Sequence, residues 1–314
     1  MPAFVLDLGT GIFAVDTGFQ RERFDAAYLL VHGGRAAFID TGTNHAVPRL
    51  LAALQALGLP PSAVDWVIPT HVHLDHAGGV GLLLQQLPLA RVLVHPRGAR
   101  HLIHPEALWQ GATAVYGEAE MARSYGQLVA VPAHRVLTST DGMTVELANR
   151  PLLLIDTPGH ARHHHCVWDA ATQGWFTGDT FGLSYREFDT AQGAWILPSS
   201  TPVRFEPVAL RASIERLLSR RPACIYLTHF GRVADVPRLG RLLLSLLDDM
   251  VAMAQTVAPS PNRHLALKQG QLDIFSRSLR QHGFEGSAER LAELLAMDLE
   301  LNAQGMALWL DRPG

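Results

Sequence analysis

The first forty residues alternate short apolar runs with polar or glycine breaks. Residues 4–7, 11–16, 26–32 and 35–40 read as four strands, broken by Gly9-Thr10-Gly11, the polar stretch 20–25 and Gly33-Gly34. Over residues 47–57 the apolar positions change to helical spacing, which stops at Gly58. A strand over 64–69, a polar loop, a helix starting at 78–86 and a strand over 91–95 follow. Strand, helix, strand in this rhythm predicts an α/β layer. Residues 96–127 lack a strand pattern and read as a helical insertion carrying Trp109, Tyr116, Met121 and Tyr125, which serve either the core or the roof of a site.

Strands return at 135–137, 143–147, 151–156, 166–169 and 174–177, and again at 223–227 behind an amphipathic helix over 207–220. Between them, residues 181–202 form a long loop rich in aromatics. Beyond 236 the composition turns to Leu, Ala and Arg with helical periodicity over 238–257, 264–282 and 287–301. The expected division is therefore a mixed α/β domain over 1–236 and a helical C-terminal extension over 237–314.

With 48% hydrophobic residues, the 314-residue chain can bury a sizeable core. A net charge of −3 and a pI near 6.6 leave no basic surplus for a nucleic-acid partner. No apolar run is long enough to read as a membrane span, and the first residues lack the basic start and apolar run of a signal peptide. Two cysteines, Cys166 and Cys224, both in apolar strand patterns, make no disulfide framework. The expectation is a cytoplasmic protein with a small-molecule substrate, neither membrane nor nucleic acid as partner, and a homodimer left open.

Histidine is the outlier, with 16 copies. His71, His73, Asp75 and His76 fall within six positions on a strand-to-helix loop, Thr70-His71-Val72-His73-Leu74-Asp75-His76-Ala77-Gly78-Gly79. A single histidine is ordinarily a hydrogen-bonded core or surface residue. Three imidazoles and a carboxylate crowded beside apolar strands carry a desolvation cost unless something coordinates them. The set suits zinc, iron or manganese, and no thiolate competes.

The H-x-H-x-D-H pattern with Gly78-Gly79 behind it resembles the signature of the metallo-β-lactamase-fold hydrolases. Four further stretches match that family's motifs in its order: Ile39-Asp40-Thr41-Gly42, Thr157-Pro158-Gly159-His160, Thr177-Gly178-Asp179-Thr180 and Leu227-Thr228-His229-Phe230-Gly231. The resemblance covers about residues 1–235 and implies an αββα sandwich with its site along one edge of the sheets. It implies two divalent metal ions, with His71, His73 and His160 on one, Asp75, His76 and His229 on the other, and Asp179 bridging them. It also implies supporting positions behind the ligands for Asp40 and His164.

Such a pair of ions implies hydrolysis by a hydroxide shared between them, with Asp75 as the catalytic residue that orients it or takes a proton. Histidine stands at the position where flavin-linked di-iron reductases carry Glu, which disfavours oxygen reduction. The layout is most similar to the quinolone-signal response protein and its archaeal relatives, where a Gly-Asp motif leads into a segment like Phe188–Trp195 and a helical tail follows. This likeness implies a thioesterase or esterase acting on an apolar acyl group, with Phe181, Tyr185, Phe188 and Trp195 as pocket-wall candidates. Glyoxalase II-like and lactone hydrolysis are the alternatives, although Val72 interrupts the His triplet usual in the former. A reading of another class is a signalling or interaction protein whose metal site is mainly structural.

Overall fold

Strand residues alternate faces, and here both faces are apolar, so the strands need cover on each side. A computed structural model describes residues 1–200 and 204–312. The expected loop residues 201 and 202, and the last two residues of the expected extension, lie outside these. The chain forms two compact units, the first comprising residues 1–156, 163–178 and 224–232, the second 157–162, 179–223 and 233–314. No single boundary at 236/237 separates them, because the long loop and the helix following it cluster with the C-terminal helices. No helix among the described residues is long and apolar enough to cross a membrane.

In the first unit, β1 (Val5–Asp7), β2 (Ile12–Asp16), β3 (Ala26–His32), β4 (Arg35–Ile39), β5 (Val64–Ile68), β6 (Arg91–Val94) and β7 (Val136–Thr138) make one sheet in sequence order. Pairing is antiparallel from β1 to β4 and parallel from β4 to β7. The parallel half needs crossovers, which α1 (Val47–Ala56), α2 (Leu74–Ala77) with α3 (Val80–Gln86), and the insertion helices α4 (Pro96–Ile103), α5 (Glu106–Tyr116) and α6 (Glu118–Glu120) supply. A second sheet has the order β13-β12-β11-β10-β9-β8, from β8 (Thr144–Leu147), β9 (Arg150–Asp156), β10 (His165–Asp169), β11 (Gly174–Phe176), β12 (Cys224–Leu227) and β13 (Gly231–Val233).

Alternation along the strands builds two cores. Ile12, Ala14, Tyr28, Leu30, Ala37 and Ile39 face Leu152, Leu154, Val167, Phe176 and Tyr226 of the second sheet. Phe13, Val15, Leu29, Phe38, Val67 and Val92 face the other way, onto Leu50 and Leu54 of α1 and Leu83 and Leu84 of α3. The expected α/β sandwich is therefore the fold. One polar pair sits inside it: Arg150, 3% exposed, donates through Nε and Nη2 to the fully buried Asp169 at 2.9 and 2.6 Å. Burial pulls the Asp169 carboxyl up, but Arg150 and Thr172 outweigh it and hold the group below its ordinary value.

In the second unit, α7 (Pro207–Ser219) is followed by α8 (Val236–Val257), α9 (Arg263–Gln281), α10 (Ala288–Leu294) and α11 (Ala296–Leu310). The helix expected over 287–301 is divided at Leu295, where ψ is 6°, and continues further than its pattern indicated. The aromatic loop is fastened to these helices. Trp195 Nε1 donates to Ser278 at 2.9 Å, Tyr185 donates to Asp298 at 2.9 Å, and the backbone N–H of Ser200 donates to the Asn302 side chain at 2.6 Å. Phe188 lies edge-on between Trp195 and Phe284.

Candidate metal centre

The first unit gathers the ends of three strands around one carboxylate. Asp40, directly after β4, is fully buried and left-handed, with φ 56°, a conformation that Asp tolerates better than most residues. Its carboxylate accepts from the Thr70 backbone N–H at 2.7 Å, from the Thr70 hydroxyl at 3.0 Å and from the Thr228 hydroxyl at 2.8 Å. Thr70 follows β5 and Thr228 follows β12. The same carboxylate accepts from His76 Nδ1 at 2.9 Å.

The expected ligand loop departs in one respect from the pattern read for it. Helical structure begins at Leu74, not Gly78, because His73 takes an extended conformation, with ψ 153°, and starts a one-turn helix. Asp75 and His76 therefore stand on that turn. His71 Nδ1 lies 3.2 Å from the Thr70 hydroxyl, which itself donates to Asp40, and His71 Nε2 faces His73 Nδ1 at 2.7 Å. His229 Nδ1 donates to the Phe24 carbonyl at 3.0 Å. With Nδ1 held on an oxygen, His71, His76 and His229 present Nε2 to the centre, whereas His73 faces His71 with Nδ1. Asp75 Oδ2 lies 3.8 Å from His76 Nε2 and 3.5 Å from His229 Nε2, and the ligand atoms of these three residues lie within 4.8 Å of one another.

His164 is fully buried and stacks on His71, with ring centroids 4.8 Å apart. Gly178 makes room for it: a Cβ at Gly178 would stand 2.7 Å from His164 Nε2 and 2.5 Å from Thr70 Oγ1. His163 accepts from the Val72 N–H at 3.4 Å. His165, without a role in the sequence reading, is a core residue whose Nδ1 lies 2.8 Å from the Ser139 hydroxyl. Burial, reinforced by neighbouring His95, pulls its imidazole down to about 3, so it stays neutral.

In the second unit, His160 and Asp179 stand together, Nε2 to Oδ2 at 3.4 Å. The Ser199 carbonyl accepts from His160 Nδ1 at 3.3 Å, the same orienting device as in the first unit. The four candidate pocket residues Phe181, Tyr185, Phe188 and Trp195 are each completely buried. The contacts described above for Tyr185, Phe188 and Trp195 fasten the loop.

Sequence reasoning passed over Asp25. It is fully buried, its Oδ2 accepts from Thr17 at 2.6 Å, and burial pushes its carboxyl up to about 7 against the opposing pull of His229 and His76. Its only sequence signal is a carboxylate directly before an apolar strand, which is too common to single out.

Three relatives frame the site. The archaeal metallo-beta-lactamase fold-containing protein ST1585 of Sulfurisphaera tokodaii is 28% identical over 175 residues, 54% of this chain and 62% of its own. Its crystal structure superposes with a TM-score of 0.63 at 20% identity, over 94% of this chain and 98% of that one. Human acyl-coenzyme A thioesterase MBLAC2 is 27% identical over 55% of this chain and 64% of its own. Hydroxyacylglutathione hydrolase of Xanthomonas axonopodis pv. citri (strain 306) is 30% identical over 57% of this chain and 60% of its own. In sequence, the chain thus spans somewhat under two thirds of the length of each of these three relatives. The family model of the metallo-beta-lactamase superfamily matches residues 21–229, two thirds of the chain, and with the two-sheet sandwich and the anchored histidines in view, the chain belongs to that superfamily, which is made up mostly of metal-binding hydrolases.

Proposed function

We propose that the chain is a dinuclear metal-dependent hydrolase that cleaves the thioester or ester of an apolar acyl group. The observation that carries this reading is the aim of the ring nitrogens. His71, His76 and His229 each hold Nδ1 on an oxygen of the protein, and His76 and His229 turn Nε2 toward the Asp75 carboxylate. Imidazoles and carboxylates without a thiolate fit zinc, iron or manganese. In this reading His71, His73 and His160 hold one ion, Asp75, His76 and His229 hold the other, and Asp179 serves both.

Bound there, the ions would acidify a water molecule and polarise the substrate carbonyl. The chain's own residues do the rest. Asp75, with a quarter of its side chain exposed, reaches solvent, so it orients the attacking water and accepts its proton. Asp40, Thr70 and the Phe24 carbonyl keep the imidazoles immobile, so little reorganisation is needed during reaction. A thiolate with a conjugate pKa of about 8.5 departs without help from a general acid. That favours a thioester, in keeping with the thioesterase among the relatives. The two cysteines are free and buried, which fits a reducing compartment, and a cytoplasmic location is part of the proposal.

The hydroxyacylglutathione hydrolase relative favours a second reading, in which the acyl group is a hydroxyacyl unit carried on glutathione. Both readings meet the same test: a panel of alkyl, aryl and hydroxyacyl thioesters, with metal content measured in parallel. Hydrolysis of the apolar members, lost on chelation and restored by metal, is the expected result. Turnover of hydroxyacylglutathione alone would move the assignment to the second reading, and no turnover by metal-replete protein would overturn both.

A further inference from the structure

The insertion between β6 and β7 leaves several apolar side chains only half-buried. Helix α5, with sequence EALWQGATAVY, contains Leu108, Trp109, Val115 and Tyr116, yet none of its residues is fully buried. Half-buried apolar side chains gathered on one helix are a common feature of binding surfaces. Here the helix borders an open groove of about 730 Å³, lined by Pro105, Trp109, Ala122, Gly126 and Leu128 together with the polar Glu106, Gln110 and Gln127. That volume falls within the range of small-molecule sites.

The insertion is tied to the candidate metal centre within the same unit. An unbroken series of ring contacts runs from His229 to Phe24 at 5.5 Å, on to Phe19 at 6.0 Å, to Tyr125 at 5.4 Å and to Tyr116 at 5.3 Å. Tyr125 immediately precedes Gly126 of the groove wall. The charge on Asp75 reaches both phenols: burial first, and then that carboxylate, push the Tyr116 hydroxyl up, and burial, Tyr116 and Asp75 do the same to Tyr125. Both therefore remain neutral at any physiological pH. The aromatics of the 181–202 loop, by contrast, are completely covered and leave no room for a ligand.

We propose that the groove walled by Trp109, Ala122 and Leu128 is the acyl-binding pocket of the hydrolase, with Tyr116 and Tyr125 standing in the ring series that leads from it toward His229. This rests on the reading of the chain as an acyl thioesterase or esterase. A straight or aromatic acyl chain is the matching ligand, since Pro105, Trp109, Ala122 and Leu128 give the groove an apolar wall. Trp109 and Leu128 set the accepted length, and the Tyr116–Tyr125 pair positions the ester end.

The test uses the full-length, metal-loaded protein with Ala122→Trp, which fills the groove, and Trp109→Ala, which removes a wall, after confirming native circular dichroism for each. Thioesters of N-acetylcysteamine from butanoyl to dodecanoyl are compared by kcat/KM, and sodium dodecanoate binding is measured by calorimetry. The wild-type protein should prefer the longer chains, and each variant should cut the dodecanoyl-over-butanoyl preference by about tenfold or more. Dodecanoate affinity should fall by a similar factor. If wild type binds dodecanoate and both variants lose it while no thioester is turned over, the pocket stands and the thioesterase reading falls. Chain-length preference and dodecanoate affinity that survive both substitutions, or a wild-type protein that binds no dodecanoate, would overturn the pocket.

Discussion

Asp40 Oδ2 accepts a hydrogen bond from His76 Nδ1 at 2.9 Å, while the same carboxylate holds Thr70 and Thr228. One side chain therefore sets the register of three strand ends and aims a ring nitrogen. Asp40→Asn tolerates the left-handed backbone but presents an amide in place of one oxygen, so one of these partners is left facing a donor. We expect metal affinity to drop by about 10–100-fold with the fold retained. Titration against a competing chelator measures it, and unchanged affinity would remove Asp40 from the site.

Gly178 leads to the second prediction. Its φ of 47° strains any L side chain, and an added Cβ would press on Thr70 and His164. Gly178→Ala should cost stability by about 1–3 kcal/mol and disturb His71 through its stacked neighbour. Urea unfolding reads the first effect, and metal content of the purified variant reads the second.

His165 gives a pH dependence with a defined sign. Its folded value of about 3 lies below the ordinary 6.5, so below 6.5 the unfolded chain takes up a proton that the folded chain refuses. Its contribution to stability is complete above pH 6.5 and is lost progressively as the pH falls toward 3. Chemical-denaturation stability measured across that window should slope downward with acid. His165→Gln should flatten the slope relative to wild type; an equal slope would place the acid sensitivity elsewhere.

The Arg150–Asp169 pair is shielded from water on both partners. Asp169→Ala leaves a buried guanidinium without its counter-charge and should cost about 3–5 kcal/mol. Because the folded Asp169 carboxyl is held low, the pair's contribution is present above the ordinary carboxylate value and disappears as pH falls through the folded one. A loss under about 1 kcal/mol in urea would mean that solvent reaches the pair.

Asp179→Ala and His164→Ala separate ligand from support. Removing the proposed shared carboxylate should release most of both ions, whereas removing His164, which stacks on His71, should leave both sites measurable but weakened. Elemental analysis of each variant decides it, and equal losses would mean that the two roles have been drawn wrongly.

Much of the fold was legible because the signals are local. Val47, Leu50, Ala53 and Leu54 repeat at helical spacing and do form one buried stripe on α1. His71, His73, Asp75 and His76 attract attention because they are almost consecutive. Three things were not legible. Asp25 reaches the site only through strand pairing. The helical turn at Leu74 depends on the extended conformation of His73. The discontinuous units join segments far apart in the chain, and a composition shift near residue 237 carries no record of which earlier segments the tail will cover. Trp109 and Tyr116 illustrate the limit from the other side: their helical spacing was visible, but spacing does not tell a core face from a groove face.

The fastening of the aromatic loop has a consequence in time. Tyr185 must wait for Asp298, 113 residues later, and Trp195 for Ser278, 83 residues later. At cellular rates of synthesis that interval is on the order of ten seconds. Throughout it the emerging chain carries Tyr185 and Trp195 without the helices that hold them. This half of the protein therefore matures only after Asp298 has been made, and until then it presents the kind of sticky surface that chaperones shelter.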